Sequence, residues 1–530
     1  MRFAAFAAST VLFVLAVIAA ALTGSVVWIV VAALLAALVA VGLYDLAQRR
    51  HSVLRNYPLL GHMRFIFEAI RPELQQYFIE RNYDGRPYDR DTRTSIYERA
   101  KGLKDEQAYG TERDVNEPGY EWLLQSINSF DPPSEPPRVR IGGPDCTQPY
   151  EMALLNVSAM SFGALSPAAL TALNQGASKG GFAHDTGEGG LSKYHQNGAD
   201  LVWEIGTGYF GARTKDGNFD RDKFRETAAL HAVKCVSLKL SQGAKPGIGG
   251  VLPGPKVTQE IAETRGVPQG QTVTSPPGHK VFSTPRELVR FIAEMRELAG
   301  GKPAGFKLCV GLRHELLAVC KAMVEEGITP DFIIVDGAEG GTGAAPAEYE
   351  DHVGVPLTEG LMMVHNALVG CGLRDRIRIG ASGKVATGSD IVKRLAVGAD
   401  YTNAARAMMM AVGCLQSQRC HTNECPVGVA TQDPKRARAL DVPDKTERVY
   451  RYQHAVVAEA QRLIASMGLH SHTEVGPHHL VRRVDHVKSR SYAELYEWLE
   501  PGQLLDEPPE SWNLDWERAD PDSFSPKVVA

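Results

Sequence analysis

The chain has 530 residues, with 57 Lys and Arg against 62 Asp and Glu, for a net charge of −5. With 44% hydrophobic and 22% charged residues, this balance excludes a wholly disordered chain and leaves no basic excess for gripping nucleic acid. The length suits about three average domains, although a single α/β barrel absorbs about 250 residues or more.

From Phe3 to Tyr44 there is no charged residue. As one helix at about 1.5 Å per residue this stretch would reach about 63 Å, roughly twice a hydrocarbon core. Thr23-Gly24-Ser25 splits it into two segments of about 20 residues. The pattern predicts a transmembrane helical hairpin over residues 1–47. Arg2 precedes the first segment, Arg49, Arg50 and Arg55 follow the second, and the turn has no charge, so the positive-inside bias puts both ends, and with them the rest of the chain, in the cytoplasm. A secretory signal peptide is the competing reading, against which the second apolar span argues. With few polar groups inside, the spans read as an anchor in membrane lipid and not as a transport path.

Residues 48–137 read as a helical or irregular preface, with an amphipathic helix from Arg64 to Ile79 and a proline-rich linker at 131–137. From Met152 onward, short apolar runs alternate with helical stretches. Eight candidate strands fall at 153–158, 181–184, 201–205, 235–239, 305–309, 332–336, 377–381 and 400–404. Helix starts follow several of them. Ser166-Pro167 places an N-cap and a first-turn proline, Thr284-Pro285-Arg286-Glu287 forms a capping box, and Ser389 is the expected cap before Ile391 and Leu395. Eight strand–helix units favour a (β/α)8 TIM-type barrel over 138–445, with an open doubly wound sheet as the alternative. Residues 446–530 read as helices followed by an extended tail.

Three of the eight cysteines, Cys414, Cys420 and Cys425, lie within twelve residues. Three convergent thiolates serve soft metals, and a cytoplasmic location argues against disulfides. Structural zinc usually shows C-x2-C pairs, which are missing, and His421 is awkwardly adjacent to Cys420. An iron–sulfur cluster with three protein ligands fits better, with zinc and unliganded thiols as the alternatives. The other five cysteines read as small buried hydrophobes.

Glycines gather beyond the predicted strand ends, in Asp336 to Ala344, in Ala381-Ser382-Gly383-Lys384, and near Asn403-Ala404-Ala405-Arg406. Loops after the seventh and eighth strands of such barrels commonly hold a phosphate, because bare backbone N–H groups converge there. No GxxxxGK[ST] loop and no GxGxxG after a first strand is present. Lys239 ends one apolar strand and Lys307 sits inside another, which reads as catalytic or cofactor-contacting at a barrel mouth, against a snorkelling structural lysine. Glu188, within Thr186-Gly-Glu-Gly-Gly190, is either a ligand group or a solvated turn residue.

Together these motifs resemble the synthase domain of glutamate synthase. The matching stretches are Arg138 to Gly143, Ser158 to Ser166, Thr186 to Gly190, Gln242 to Gly247, Gly340 to Ala344 and Cys420 to Gln432, in the family's order. The resemblance implies an FMN-binding (β/α)8 barrel with a [3Fe–4S] cluster on Cys414, Cys420 and Cys425. It implies that Met160, Ser161, Lys307, Gly341, Gly343, Ser382, Gly383, Ala405 and Arg406 line the FMN. It further implies that Glu188, Gln242 and Lys245 bind 2-oxoglutarate, with Lys239 and Glu188 as the catalytic groups. The implied chemistry is reductive amination of 2-oxoglutarate with ammonia or another amine to give glutamate. Electrons would come from a ferredoxin, an NAD(P)H-oxidising subunit or a quinone-linked protein, and no nucleic acid takes part.

The sequence also departs from that family. Met1-Arg2 leads into an apolar span where the family begins with a glutaminase domain, and no C-terminal β-helix follows, so ammonia is expected free or from another subunit. Leu191 stands where a second acidic residue is usual, Ala338-Glu339 replaces a His-Asp pair, and Asn403 to Arg406 replaces a GFGT-like run. These changes keep two other readings open: a relative using a different amine, such as an N-methylglutamate synthase, or a membrane-tethered flavin and iron–sulfur electron-transfer protein without amination.

Overall fold

The computed structural model describes residues 2–103 and 106–529. The chain divides into two compact units, 1–90 and 91–530.

In the first unit, α1 (Ala4–Thr23) and α2 (Val26–Ala47) form a hairpin closed at Gly24, whose φ of +62° is the left-handed conformation that glycine takes without a Cβ penalty. Their mean hydropathies are 2.5 and 2.9, and both are long and apolar enough to cross a membrane. The few hydroxyls are satisfied inside the helices: Ser9 Oγ donates to Ala5 O and Thr10 Oγ1 to Phe6 O. Close approach of the two helices requires Gly42, where a Cβ would stand 2.3 Å from the Phe6 ring. A short turn of helix, Ser52–Asn56, leads into α3 (Gly61–Leu74), which continues as a π turn over Gln75–Ile79. The amphipathic helix expected from Arg64 to Ile79 is therefore two pieces with a starting point three residues earlier. Pro72, which lacks an N–H, lies just before the change of winding.

In the second unit the eight expected strands close a parallel barrel in sequence order. They are β1 (Leu155–Val157), β2 (His184–Asp185), β3 (Leu201–Ile205), β4 (Val233–Lys239), β5 (Ala304–Leu308), β6 (Phe332–Asp336), β7 (Arg378–Ser382) and β8 (Tyr401–Ala404). Their near-continuous burial is what a parallel sheet covered by helices demands. The first two differ most from expectation. Ala153 belongs to an antiparallel strand, Tyr150–Ala153, paired with Arg138–Ile141. That hairpin packs Val139, Ile141 and Met152 against Val202, Cys235 and Phe332, filling the N-terminal end of the barrel. Gly181 is the left-handed C-cap of the helix Pro167–Gly180, so β2 starts only at His184.

The caps at Ser166 and Thr284 stand as expected. The helix Gly388–Ala396 is instead capped by Thr387, whose Oγ1 accepts from Asp390 N while Asp390 Oδ2 accepts from Thr387 N. Ser389 only shares a hydroxyl contact with Thr387. Of the five scattered cysteines, four are buried, while Cys146 is half-buried with its thiol on Gly301 O.

Candidate active site at the barrel mouth

Strands of a (β/α)8 barrel point their C-terminal ends at one face, and the expected site residues lie on that face. Lys239 ends β4 and is paired in register with Lys307 on β5. Their environments differ.

Lys239 is 8% exposed; its Nζ donates to Glu188 Oε1 at 2.8 Å and to Gln242 Oε1. Glu188 hangs from the glycine loop after β2. Burial pushes its carboxyl up, but Lys239, Lys245 and Arg265 outweigh burial and hold it below the ordinary range. The loop can approach because Gly206 and Gly250 lack side chains; a Cβ at either would lie 2.4 or 2.3 Å from a Glu188 oxygen. Lys245 is 3% exposed and donates to Ala344 O at 3.1 Å. Burial, then repulsion from Lys239, lowers its ammonium to about 8. Arg265 ends the helix Gln259–Arg265 in the long β4–β5 connection; its Nη2 donates to Ser161 Oγ at 3.3 Å and Phe162 O at 3.0 Å. The structure thus brings Glu188, Lys239, Gln242 and Lys245 together and adds Arg265, which sequence reading missed. Three buried cations face one carboxylate, an arrangement that favours an anionic guest.

Lys307 lies deeper. Its Nζ donates to Glu204 Oε2 at 3.2 Å, and both side chains are buried. Burial opposes its charge, yet Glu204, Asp336 and Asp185 together raise its pKa above that of a free lysine. Asp185 is pushed up by burial and by Glu204. Lys307 is thus a permanent cation among carboxylates.

The glycine loops meet around β6 to β8. Ser382 Oγ contacts Ser158 Oγ at 3.2 Å, and Gly383 has φ +151°. Arg406 Nη2 donates to Glu339 O at 2.8 Å, next to Ala405 at the start of the helix Arg406–Val412. A Cβ on Gly341 would stand 3.3 Å from the Arg406 guanidinium carbon, so glycine leaves a cradle beside that cation, and Gly343 faces Cys420. These donors fit a phosphate-bearing cofactor. The Met160-Ser161 loop is backed by buried His195, whose Nε2 lies 3.2 Å from Met160 O. Glu339, one of the departures, accepts from Leu357 N at 2.9 Å at the start of the helix Leu357–Gly370.

Cys414, Cys420 and Cys425 follow the Arg406–Val412 helix on an irregular loop with positive φ at Gln416, Gln418 and Asn423, and none is in a disulfide. Among the described residues no three His, Cys, Asp or Glu side chains converge on a single metal-ion position. A three-iron cluster asks for something else, since each thiolate takes a different iron. The donor set is three thiols outside any disulfide, and burial first, with Cys420 and Cys425 adding to it, pushes Cys414 up to about 12. Two side chains, buried Lys256 and half-buried Gln432, tie this loop to the Met160-Ser161 side of the mouth. Lys256 Nζ donates at 3.1 Å to both Ala164 O and Cys420 O, and Gln432 Nε2 donates to Gly163 O at 3.2 Å and Leu165 O at 2.7 Å.

Comparison with known proteins bears on this geometry. A family model described as the conserved region in glutamate synthase matches residues 143–470. The chain is 37% identical over 480 residues to the glutamate synthase large subunit-like protein YerD of Bacillus subtilis (strain 168), covering 83% of this chain and 91% of that protein. It is 35% identical over 318 residues to an archaeal-type glutamate synthase (NADPH) of Thermotoga neapolitana and spans 59% of that relative's length. Among solved structures, a mutant flavocytochrome b2 with pyruvate bound aligns with a TM-score of 0.43 at 12% identity, over 84% of this chain and 91% of that one. The chain belongs to the glutamate synthase family and is an oxidoreductase of that type.

Proposed function

We propose that the barrel mouth binds FMN and 2-oxoglutarate and makes glutamate by reductive amination, with electrons arriving through a [3Fe–4S] cluster. The observation that carries this reading is the excess of three buried cations over one carboxylate at the ends of β2 and β4. A dicarboxylate supplies the missing negative charge: Lys245, Arg265 and Lys239 hold its two carboxylates, and Gln242 holds the Lys239 ammonium in line. Ammonium condenses with the keto group and water leaves, and the resulting iminium becomes the amine of glutamate by taking two electrons and a proton, as a hydride, at its carbon. FMN, when bound, supplies hydride chemistry to that carbon. Glu188, kept ionised by its neighbours, sets a fixed negative charge beside the iminium nitrogen, and Lys239 Nζ at 2.8 Å holds that carboxylate in place.

Ser158, Met160, Ser161, Lys307, Gly341, Gly343, Ser382, Gly383, Ala405 and Arg406 would hold the FMN, and Cys414, Cys420 and Cys425 the cluster. Lys256 and Gln432 keep the two loops at fixed spacing, which supports transfer between them. In this reading residues 1–47 anchor the chain by two spans, 48–137 connect them to the barrel at 138–445, and 446–530 pack outside it, with the barrel in the cytoplasm. The electron donor is a protein or cofactor of matching potential reached at the membrane or in solution.

The test is anaerobic. The FMN-loaded, iron-loaded protein is reduced, then mixed with 2-oxoglutarate and ammonium or methylamine. Flavin reoxidation matched by glutamate or its N-methyl derivative is expected. No reoxidation with any keto acid and amine pair contradicts the reading and leaves electron transfer alone. Electron paramagnetic resonance of Cys425→Ser should lose the cluster signal.

A further inference from the structure

The first unit carries a surface that neither the barrel nor the hairpin explains. On α3 and its π turn, Met63, Ile66, Phe67, Ile70, Leu74 and Phe78 recur at spacings of three and four, so they share one stripe. All are 40% to 81% exposed. The opposite side of the helix is used: Phe65 packs edge-on against His51 with ring centroids 5.4 Å apart. Arg64 and Arg71 border the stripe along one edge, and Arg64 also pairs with Glu68.

The start of α3 is tied to the end of the second span. Asp45, fully buried in the last turn of α2, accepts from Leu59 N at 3.0 Å and contacts His62 Nε2 at 2.9 Å. Leu59 takes a positive φ of 68° to make the turn. A bilayer that holds α2 up to Tyr44 therefore ends at the level where α3 begins. From Gln48 to Leu74 the chain has five arginines against two glutamates, and a basic excess beside an apolar stripe suits anionic lipid headgroups.

We propose that α3 lies in the membrane interface, with its stripe in the boundary between headgroups and acyl chains and with Arg64 and Arg71 on lipid phosphates. The inference rests on the reading of α1 and α2 as spans. It gives the anchor a second attachment, parallel to the bilayer, that fixes how the chain leaves the membrane.

The test uses the full chain in nanodiscs of phosphatidylcholine and phosphatidylglycerol whose acyl chains carry a diazirine near the carbonyl. After photolysis, cross-linked peptides are mapped by mass spectrometry. Adducts in both 4–47 and 61–79 are expected. In the Ile66→Glu, Ile70→Glu double variant the adducts in 61–79 should be lost while those in 4–47 remain. Adducts in 4–47 with none in 61–79 overturn this proposal and leave the spans standing. Adducts in neither overturn both, and unchanged labelling of 61–79 in the double variant overturns the role of the stripe.

Discussion

Lys239 and Lys307 sit side by side on β4 and β5, in register and both buried, yet their surroundings are imbalanced in opposite directions. Around Lys307 the acidic groups Glu204, Asp336 and Asp185 gather about one cation, with the Asp185 carboxyl pushed up to about 8 by burial and by Glu204. Around Glu188 the cations Lys239, Lys245 and Arg265 outnumber the carboxylate. Charge in a low-dielectric interior is tolerated only where it is compensated. The deeper group is compensated by the protein itself. The shallower group is left short of negative charge, which in the proposed function a substrate anion would supply. Residue type and strand position are the same in the two places; the neighbours decide the role.

The sharpest way to break this contrast is Lys307→Met. It strands Glu204 and Asp185 without their buried cation, and loss of one partner of such a pair costs about 3–5 kcal/mol. Urea unfolding should show that loss together with loss of bound flavin. Lys256→Met comes next. It removes the donor shared by the carbonyls of Ala164 and Cys420, a cost of about 1–3 kcal/mol for buried groups left unpaired, and if the proposed cluster sits on this loop its midpoint potential should shift as well. Lys239→Met should cost about 1.5–3 kcal/mol of stability, less than Lys307→Met because Lys245 and Arg265 still face Glu188, but should abolish glutamate formation. A loss as large as that of Lys307→Met would erase the distinction between the two lysines.

The smallest effect is in pH. The Lys245 ammonium, lowered to about 8, binds an anion only while protonated. Affinity for 2-oxoglutarate should therefore be full below pH 8 and fall as pH rises through it. Stability changes the other way: a folded pKa below the free lysine value penalises the charged form, so this residue destabilises the fold most below pH 8 and less as pH rises. Lys245→Met should flatten the KM profile without lowering Tm at pH 7.

Most of the barrel was legible because buried parallel strands are continuous apolar runs with few alternatives, as in Phe332–Asp336, where expected and observed bounds coincide. The first two strands were displaced because a β-hairpin and a helix C-cap use the same apolar residues, and only tertiary pairing separates them. Lys239 stood out as a lysine in an apolar strand, whereas Glu188 and Lys245 were placed at the site only by the resemblance of their loops to the family's. Arg265 and Lys256 did not, since both lie in the part of the β4–β5 connection before the helix start at Thr284, where no periodic pattern places a residue and the chain must fold back to reach the mouth. Glu339 is legible as a departure from the family but not as the partner of Leu357 N, which depends on a helix eighteen residues on.

The most direct measurement of the central claim is binding of 2-oxoglutarate and of pyruvate to the oxidised, FMN-loaded protein, followed by the change in flavin absorbance. A site with cations in excess needs both carboxylates, so 2-oxoglutarate should bind at least about tenfold more tightly than pyruvate, and Lys245→Met should remove most of that preference. Equal affinity for the two acids, unchanged by the substitution, would contradict the assignment of these cations to a dicarboxylate.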